Sequence, residues 1–279
     1  MGKPQWLKIG LPNQEYGETK RILERLGITT VCKEAKCPNI NECWGKGTAT
    51  VMVLGDVCTR GCKFCNTKKA EKGREVDPSE PGRIAEAVKA LGLRYIVITS
   101  VDRDDLADLG AEHFAKCISH VKAYAKVEVL TPDFQGRTNL VDIVCKAGPD
   151  VYGHNIETVK RLQKVVRDPR ASYENSLKVL RYVSENYPRI ITKSALMVGM
   201  GESEEEVKEA LEDLRSVGVK AVAIGQYLQP TKNHYPVKEY VKPEQFKRYE
   251  EYAKKSGFDF VAAGPFVRSS YHASDVFLK

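Results

Sequence analysis

The sequence predicts an α/β fold, a partial (β/α)6 TIM-like barrel with N- and C-terminal extensions. Seven short β-rich runs recur between positions 48 and 264, and amphipathic segments with apolar residues every three to four positions separate them. No early GxGxxG loop marks the crossover of a doubly wound dinucleotide sheet, so a barrel is the better reading of about six βα units.

Residues 1–48 do not follow this alternation and read as an extension too short to build its own core. Pro38, Gly45 and Gly47 punctuate it, which predicts an irregular loop around its cysteines. The barrel occupies 49–263. Its strands are expected in TATVMVLGD, RYIVITS, KVEVLT, DVYGHN, ITKSALMVGM, KAVAIGQYL and FDFVAAG. Helices are expected over Glu80 to Leu91, Ala111 to Tyr124, Leu140 to Ala147, Ser172 to Asn186, Ser203 to Val217 and Pro243 to Ser256. The tail 264–279 is a second extension.

With 279 residues, 42% of them hydrophobic, and no apolar run near the roughly 20 needed to cross a bilayer, the chain reads as globular, without membrane partners. The net charge of +7 is dispersed, with mixed runs such as KKAEKGRE at 68–75, so nucleic acid is not an expected partner. The start MGKPQWLKIGLPNQEYGETK lacks an apolar core, which predicts a cytoplasmic, reducing location rather than a disulfide framework.

Six of the eight cysteines form two triplets. Cys58, Cys62 and Cys65 have the spacing C-x3-C-x2-C in CTRGCKFC, so one short loop can hold three corners of a 4Fe-4S cube. The fourth iron then lacks a thiolate, which suits a cluster that grips a small molecule. Cys32, Cys37 and Cys43, spaced C-x4-C-x5-C in CKEAKCPNINEC, can hold three corners of a second cube. Structural zinc wants four closed ligands, commonly from two C-x2-C pairs, and the chain does not offer two. Cys117 and Cys145 stand alone in helical segments and read as buried small hydrophobes.

The CTRGCKFC loop resembles the radical S-adenosylmethionine signature, and its pairing with the first triplet resembles lipoyl synthases. VDRDDL at 101–106, GAEHFA at 110–115, EVLTPDFQG at 128–136, HNIETV at 154–159, KSALMVGMGE at 193–202, GQYLQPTKNHYPV at 225–237 and GPFVRSSYHA at 264–273 extend the resemblance over most of the chain. Leu109 departs from it, standing where that family usually keeps the first of two glycines.

The resemblance implies two 4Fe-4S clusters and S-adenosylmethionine, two equivalents per lipoyl group formed. Cys58, Cys62 and Cys65 would hold the cluster that cleaves S-adenosylmethionine, with Phe64 against the adenine. Cys32, Cys37, Cys43 and the serine oxygen of Ser270 would hold the second, a sacrificial sulfur store. Ser100, Glu128, Asn155 and Lys193, near strand ends, are candidates for holding S-adenosylmethionine, although each equally suits a helix cap or loop hydrogen bond. Arg268 would either neutralise the anionic cluster or form a surface salt bridge.

The implied reaction inserts two sulfurs, at C6 and C8, into an octanoyl chain on a lysine of a lipoyl carrier domain or glycine cleavage H protein. The implied partners are an electron donor such as ferredoxin or flavodoxin and an iron-sulfur carrier that rebuilds the spent cluster. The alternatives are another radical sulfur-inserting enzyme and an iron-sulfur electron carrier or scaffold.

Overall fold

The computed structural model describes residues 4–7, 14–45, 50–271 and 273. They divide into two compact units. Of these, 14–45, 50–61 and 66–152 form an N-terminal unit, and 4–7, 62–65, 153–271 and 273 a C-terminal unit.

The N-terminal unit begins with three helices, α1 (Gln14–Arg25), α2 (Val31–Glu34) and α3 (Ile40–Gly45). Cys32 lies on α2 and Cys43 on α3, with Cys37 in the turn between them. The irregular loop expected here is therefore corrected to two short helices, of which Gly45 closes the second; Gly47 lies outside the described residues. Thr30 caps α2 by accepting from Lys33 N at 3.4 Å, a local bond that starts the turn before any hydrophobic period is visible.

The unit continues with β1 (Thr50–Val53), β2 (Val57–Cys58), β3 (Lys68–Lys69), α4 (Glu80–Ala90), β4 (Tyr95–Ser100), α5 (Ala111–Val121), β5 (Lys126–Leu130), α6 (Thr138–Lys146) and β6 (Val151–Gly153), whose last residue enters the second unit. β1 pairs in parallel with β4, and β4 with β5, bringing Val51 opposite Ile98 and Ile98 opposite Val129. Buried Ile84 and Val88 from α4, Phe114 and Ile118 from α5, and Leu140 and Val144 from α6 give these helices their apolar faces. Cys117 and Cys145 are buried as expected; burial pushes the Cys145 thiol up to about 12.

The C-terminal unit contains α7 (Gln163–Val166), α8 (Tyr173–Asn186), β7 (Ile191–Val198), α9 (Glu204–Ser216), β8 (Ala221–Gln226), α10 (Pro243–Lys255) and β9 (Phe260–Gly264). Ser203 and Glu206 form a capping box at the start of α9, and Pro243 occupies the first turn of α10, where its missing N–H costs nothing. Alternation sorts the strands: Leu196, Val198, Val222 and Ile224 join a core with Val207, Leu211, Leu214 and Phe246. Ala195, Ala223 and Ala262, aligned across β7, β8 and β9, form a separate small-residue patch.

Among the described residues, β1, β4, β5, β6, β7, β8 and β9 are hydrogen-bonded in chain order. The six βα units are present with a seventh strand, the α/β architecture of a partial TIM-like barrel. Every expected strand and every expected barrel helix is found, with ends shifted by three residues or fewer. No helix among the described residues is long and apolar enough to cross a membrane.

Candidate active site

None of the eight cysteines is in a disulfide. Cys58 ends β2, which pairs in parallel with β3, so the loop between is held at both ends. Within the N-terminal unit the base of this loop is fixed by polar contacts. Thr59 Oγ1 donates to Asp102 O at 3.0 Å and accepts from Asp104 N at 2.9 Å. The Arg60 guanidinium forks onto Asp104 at 2.8 and 2.9 Å, and its Nη1 lies 3.3 Å from Asp102 and 2.9 Å from Asp133. Burial alone would lower the Arg60 pKa, but Asp104, Asp102 and Asp133 outweigh it and hold the guanidinium cationic above its ordinary value. Arg60 N donates to Cys58 Sγ at 3.4 Å, and Asp102 Oδ2 lies 3.8 Å from the same sulfur.

Within the C-terminal unit, Cys62–Cys65 is clamped by backbone. Lys63 N donates to Val166 O at 2.7 Å, and Lys63 O accepts from Tyr235 N at 2.9 Å. His234 Nε2 lies 3.1 Å from Cys65 O, and Asp168 N donates to Cys62 Sγ at 3.3 Å. Phe64 packs against the large apolar core of this unit.

The other triplet gathers in the N-terminal unit. Cys32 and Trp44 form an apolar cluster with Leu23, against which Cys37, Cys43, Tyr16, Ile28, Ile40 and Leu91 pack. Burial pushes the Cys32 thiol above its ordinary value. Asn66, in the same unit, donates to Glu34 O at the end of α2 at 2.7 Å.

Ser270 is half-buried in a turn of the C-terminal unit. Tyr271 N donates to Arg268 O at 3.0 Å, and Val267 N to Gly264 O at 3.1 Å. Val267 and Tyr271 pack on Ala195, Ala223 and Ala262, whose small side chains leave room for them. Arg268 Nη1 donates to Val267 O at 2.6 Å, a bond within the tail that neither expectation for this residue foresaw.

The four polar candidates at strand ends have different surroundings. Ser100 closes β4, and its Oγ is buried without a hydrogen-bond partner. Glu128 lies in the middle of β5, where Tyr95 Oη donates to it at 2.5 Å; burial and that carboxylate push the tyrosine pKa up, so the phenol stays protonated. Asn155 follows β6, and its Nδ2 donates to Glu157 Oε1 at 3.1 Å. Lys193 is buried in β7, with its carbonyl accepting from His154 N at 3.0 Å.

Residues 52–214 match the Radical SAM superfamily. A lipoyl synthase of Thermus thermophilus is 54% identical over 281 residues, spanning 99% of this chain and 87% of that protein. One from an Anaeromyxobacter species is 52% identical, spanning 99% and 95%. The chain belongs to the lipoyl synthase family. It is a radical S-adenosylmethionine enzyme, and with that class come S-adenosylmethionine and a 4Fe-4S cluster. The crystal structure of methylornithine synthase, 11% identical, superposes with a TM-score of 0.55 over 91% of this chain and 83% of that one, a likeness of fold.

The donor sets fit such groups. Backbone N–H groups already point at Cys58 Sγ and Cys62 Sγ, which iron-bound thiolates need. The lipoyl synthase sequence motifs VDRDDL, TPDF and KNHYP were visible, but the partnership of Arg60 with Asp102, Asp104 and Asp133, and the grip of Asp168 and His234 on the cysteine loop, were not assigned from sequence. The signal was the arginine set between two cysteines of the CTRGCKFC loop together with two acidic loops that follow strands.

Proposed function

We propose that this lipoyl synthase inserts sulfur at C6 and C8 of an octanoyl chain carried on a lysine of a lipoyl carrier domain or glycine cleavage H protein. Two 4Fe-4S clusters and two equivalents of S-adenosylmethionine supply the radical chemistry and the sulfur that side-chain acids and bases cannot deliver to unactivated C–H bonds. Cys58, Cys62 and Cys65 hold one cluster and leave an iron open for S-adenosylmethionine, with Phe64 beside the adenine. Ser100, Glu128, Asn155 and Lys193 are the proposed polar contacts of that ligand, and the unmet Ser100 hydroxyl is the most available of them. Cys32, Cys37, Cys43 and Ser270 hold the auxiliary cluster. A serine oxygen is a harder, more labile ligand than a thiolate, which suits a cluster that is taken apart.

In this reading 1–48 and 264–279 bring the auxiliary ligands to a barrel formed by 49–263. Thiolate ligands to iron need a reducing compartment, and the reading places the protein in the cytoplasm. A ferredoxin or flavodoxin supplies electrons, and an iron-sulfur carrier rebuilds the spent cluster.

The observation that carries the proposal is the gathering of Cys32, Cys37 and Cys43 around one apolar cluster. Ser270→Ala tests it. The variant is expected to release 5'-deoxyadenosine while losing roughly 10- to 100-fold in sulfur insertion, the scale of a disturbed metal site. Normal product yield would contradict Ser270 as a ligand.

A further inference from the structure

Trp44 directly follows Cys43 and is fully buried. Its ring stacks on Tyr16, with centroids 5.3 Å apart and planes at 28°, and its backbone oxygen accepts from Thr19 Oγ1 at 2.9 Å. The indole Nε1–H, however, is shut away from solvent with no hydrogen-bond partner. A buried donor left unmet is costly, and buried tryptophans normally find an acceptor. This one belongs to the same apolar cluster as Cys32.

We propose that Trp44 Nε1–H is a dedicated hydrogen-bond donor to the Cys32 sulfur when that sulfur is an iron-bound thiolate, making Trp44 a positioning residue for the auxiliary cluster. The inference rests on the reading of Cys32, Cys37 and Cys43 as cluster ligands. A protonated thiol is a weak acceptor and leaves the indole of the same apolar cluster unmet. Binding iron removes the proton and leaves a sulfur anion in an apolar shell, where one N–H counts for more than it would in water. The bond withdraws charge from sulfur, which raises the cluster's reduction potential and steadies that ligand. Cys37 and Cys43 are half-buried whereas Cys32 is 7% exposed, so the Trp44 bond makes the Cys32 corner the last to release its iron.

The test uses the full chain with Cys58, Cys62 and Cys65 changed to alanine, so that a single cluster remains. Position 44 is then altered in two ways: Trp44→Phe, and site-specific replacement by benzothienylalanine, which keeps the bicyclic shape and the stacking on Tyr16 but carries no N–H. Redox titration followed by electron paramagnetic resonance gives the midpoint potential, and a chelator gives the rate of iron loss. The proposal expects the benzothienylalanine protein to hold full iron with a lower midpoint potential and severalfold faster iron loss than its parent. Parent-like potential and release rate in that protein would overturn it, including the case in which Trp44→Phe alone fails to load, since ring packing would then explain everything. A parent that takes up no iron would instead bring down the ligand reading itself.

Discussion

Arg60 sits between Cys58 and Cys62 with a side chain only 3% exposed, facing three carboxylates of which Asp133 is fully buried. Removing the cation would leave buried negative charge without compensation, a loss of about 3–5 kcal/mol. Arg60→Ala is therefore expected to lower the unfolding free energy of the iron-free protein by that amount in urea titration; a loss under about 1 kcal/mol, the size of an exposed pair, would contradict the network. The two cysteine triplets were legible because their spacing is local. The Arg60 partners were not, since Asp104 lies 44 positions away and nothing in the spacing links them. Leu109 shows the reverse case. Its oddness was plain in the sequence, and the structure places it at φ 53°, in the left-handed region, with its side chain 5% exposed. The strain of about 1–2 kcal/mol is offset by burying the leucine, worth roughly 1.5–3 kcal/mol.

The turns and strands carry constraints of their own. In the loop after β4, Arg103 forks onto Asp105 at 2.8 and 2.9 Å and its Nη1 reaches Leu54 O at 3.2 Å. Arg103 is the first cause holding the Asp105 carboxyl below its ordinary value of 3.8. A depressed carboxylate stabilises the fold above its unfolded pKa, and that contribution is lost as pH falls from 3.8 through the folded value. Asp105→Asn is expected to show a shallower loss of stability on acidification over that window, measured by denaturant titration at stepped pH; an unchanged slope would contradict the pairing. The C-terminal tail depends on small residues. A Cβ at Gly225 of β8 would lie 2.1 Å from Val267 O, backbone that cannot step aside cheaply. Gly225→Ala is expected to cost about 1–3 kcal/mol and to expose 265–271 to protease, and an undisturbed tail would contradict the seat described here. The alternation of β7 and β8 was readable, but the use of their alanines as a seat was not, because a small residue in a strand does not announce what lies over it. Likewise α2 and α3 escaped notice because helices of 4 and 6 residues are too short to show a period.

At the scale of the whole chain, the alternation of apolar runs and amphipathic segments was enough to give the barrel, since each βα unit is built from neighbours in sequence. The grouping of Cys62–Cys65 with the C-terminal half was not, because its clamps come from Asp168, 106 positions beyond Cys62, and His234, 169 beyond Cys65. The chemistry of the chain is therefore carried by motifs, and its framework by periodicity. If the auxiliary cluster is consumed as the sulfur source, one chain makes about one product before it must be rebuilt. The most direct measurement is anaerobic: protein carrying both clusters is incubated with S-adenosylmethionine, a reductant and an octanoyl-lysine carrier peptide, and peptide mass is followed together with 5'-deoxyadenosine. The account predicts a gain of two sulfur atoms per peptide, with product levelling off near one per chain; 5'-deoxyadenosine released with the peptide mass unchanged would contradict it.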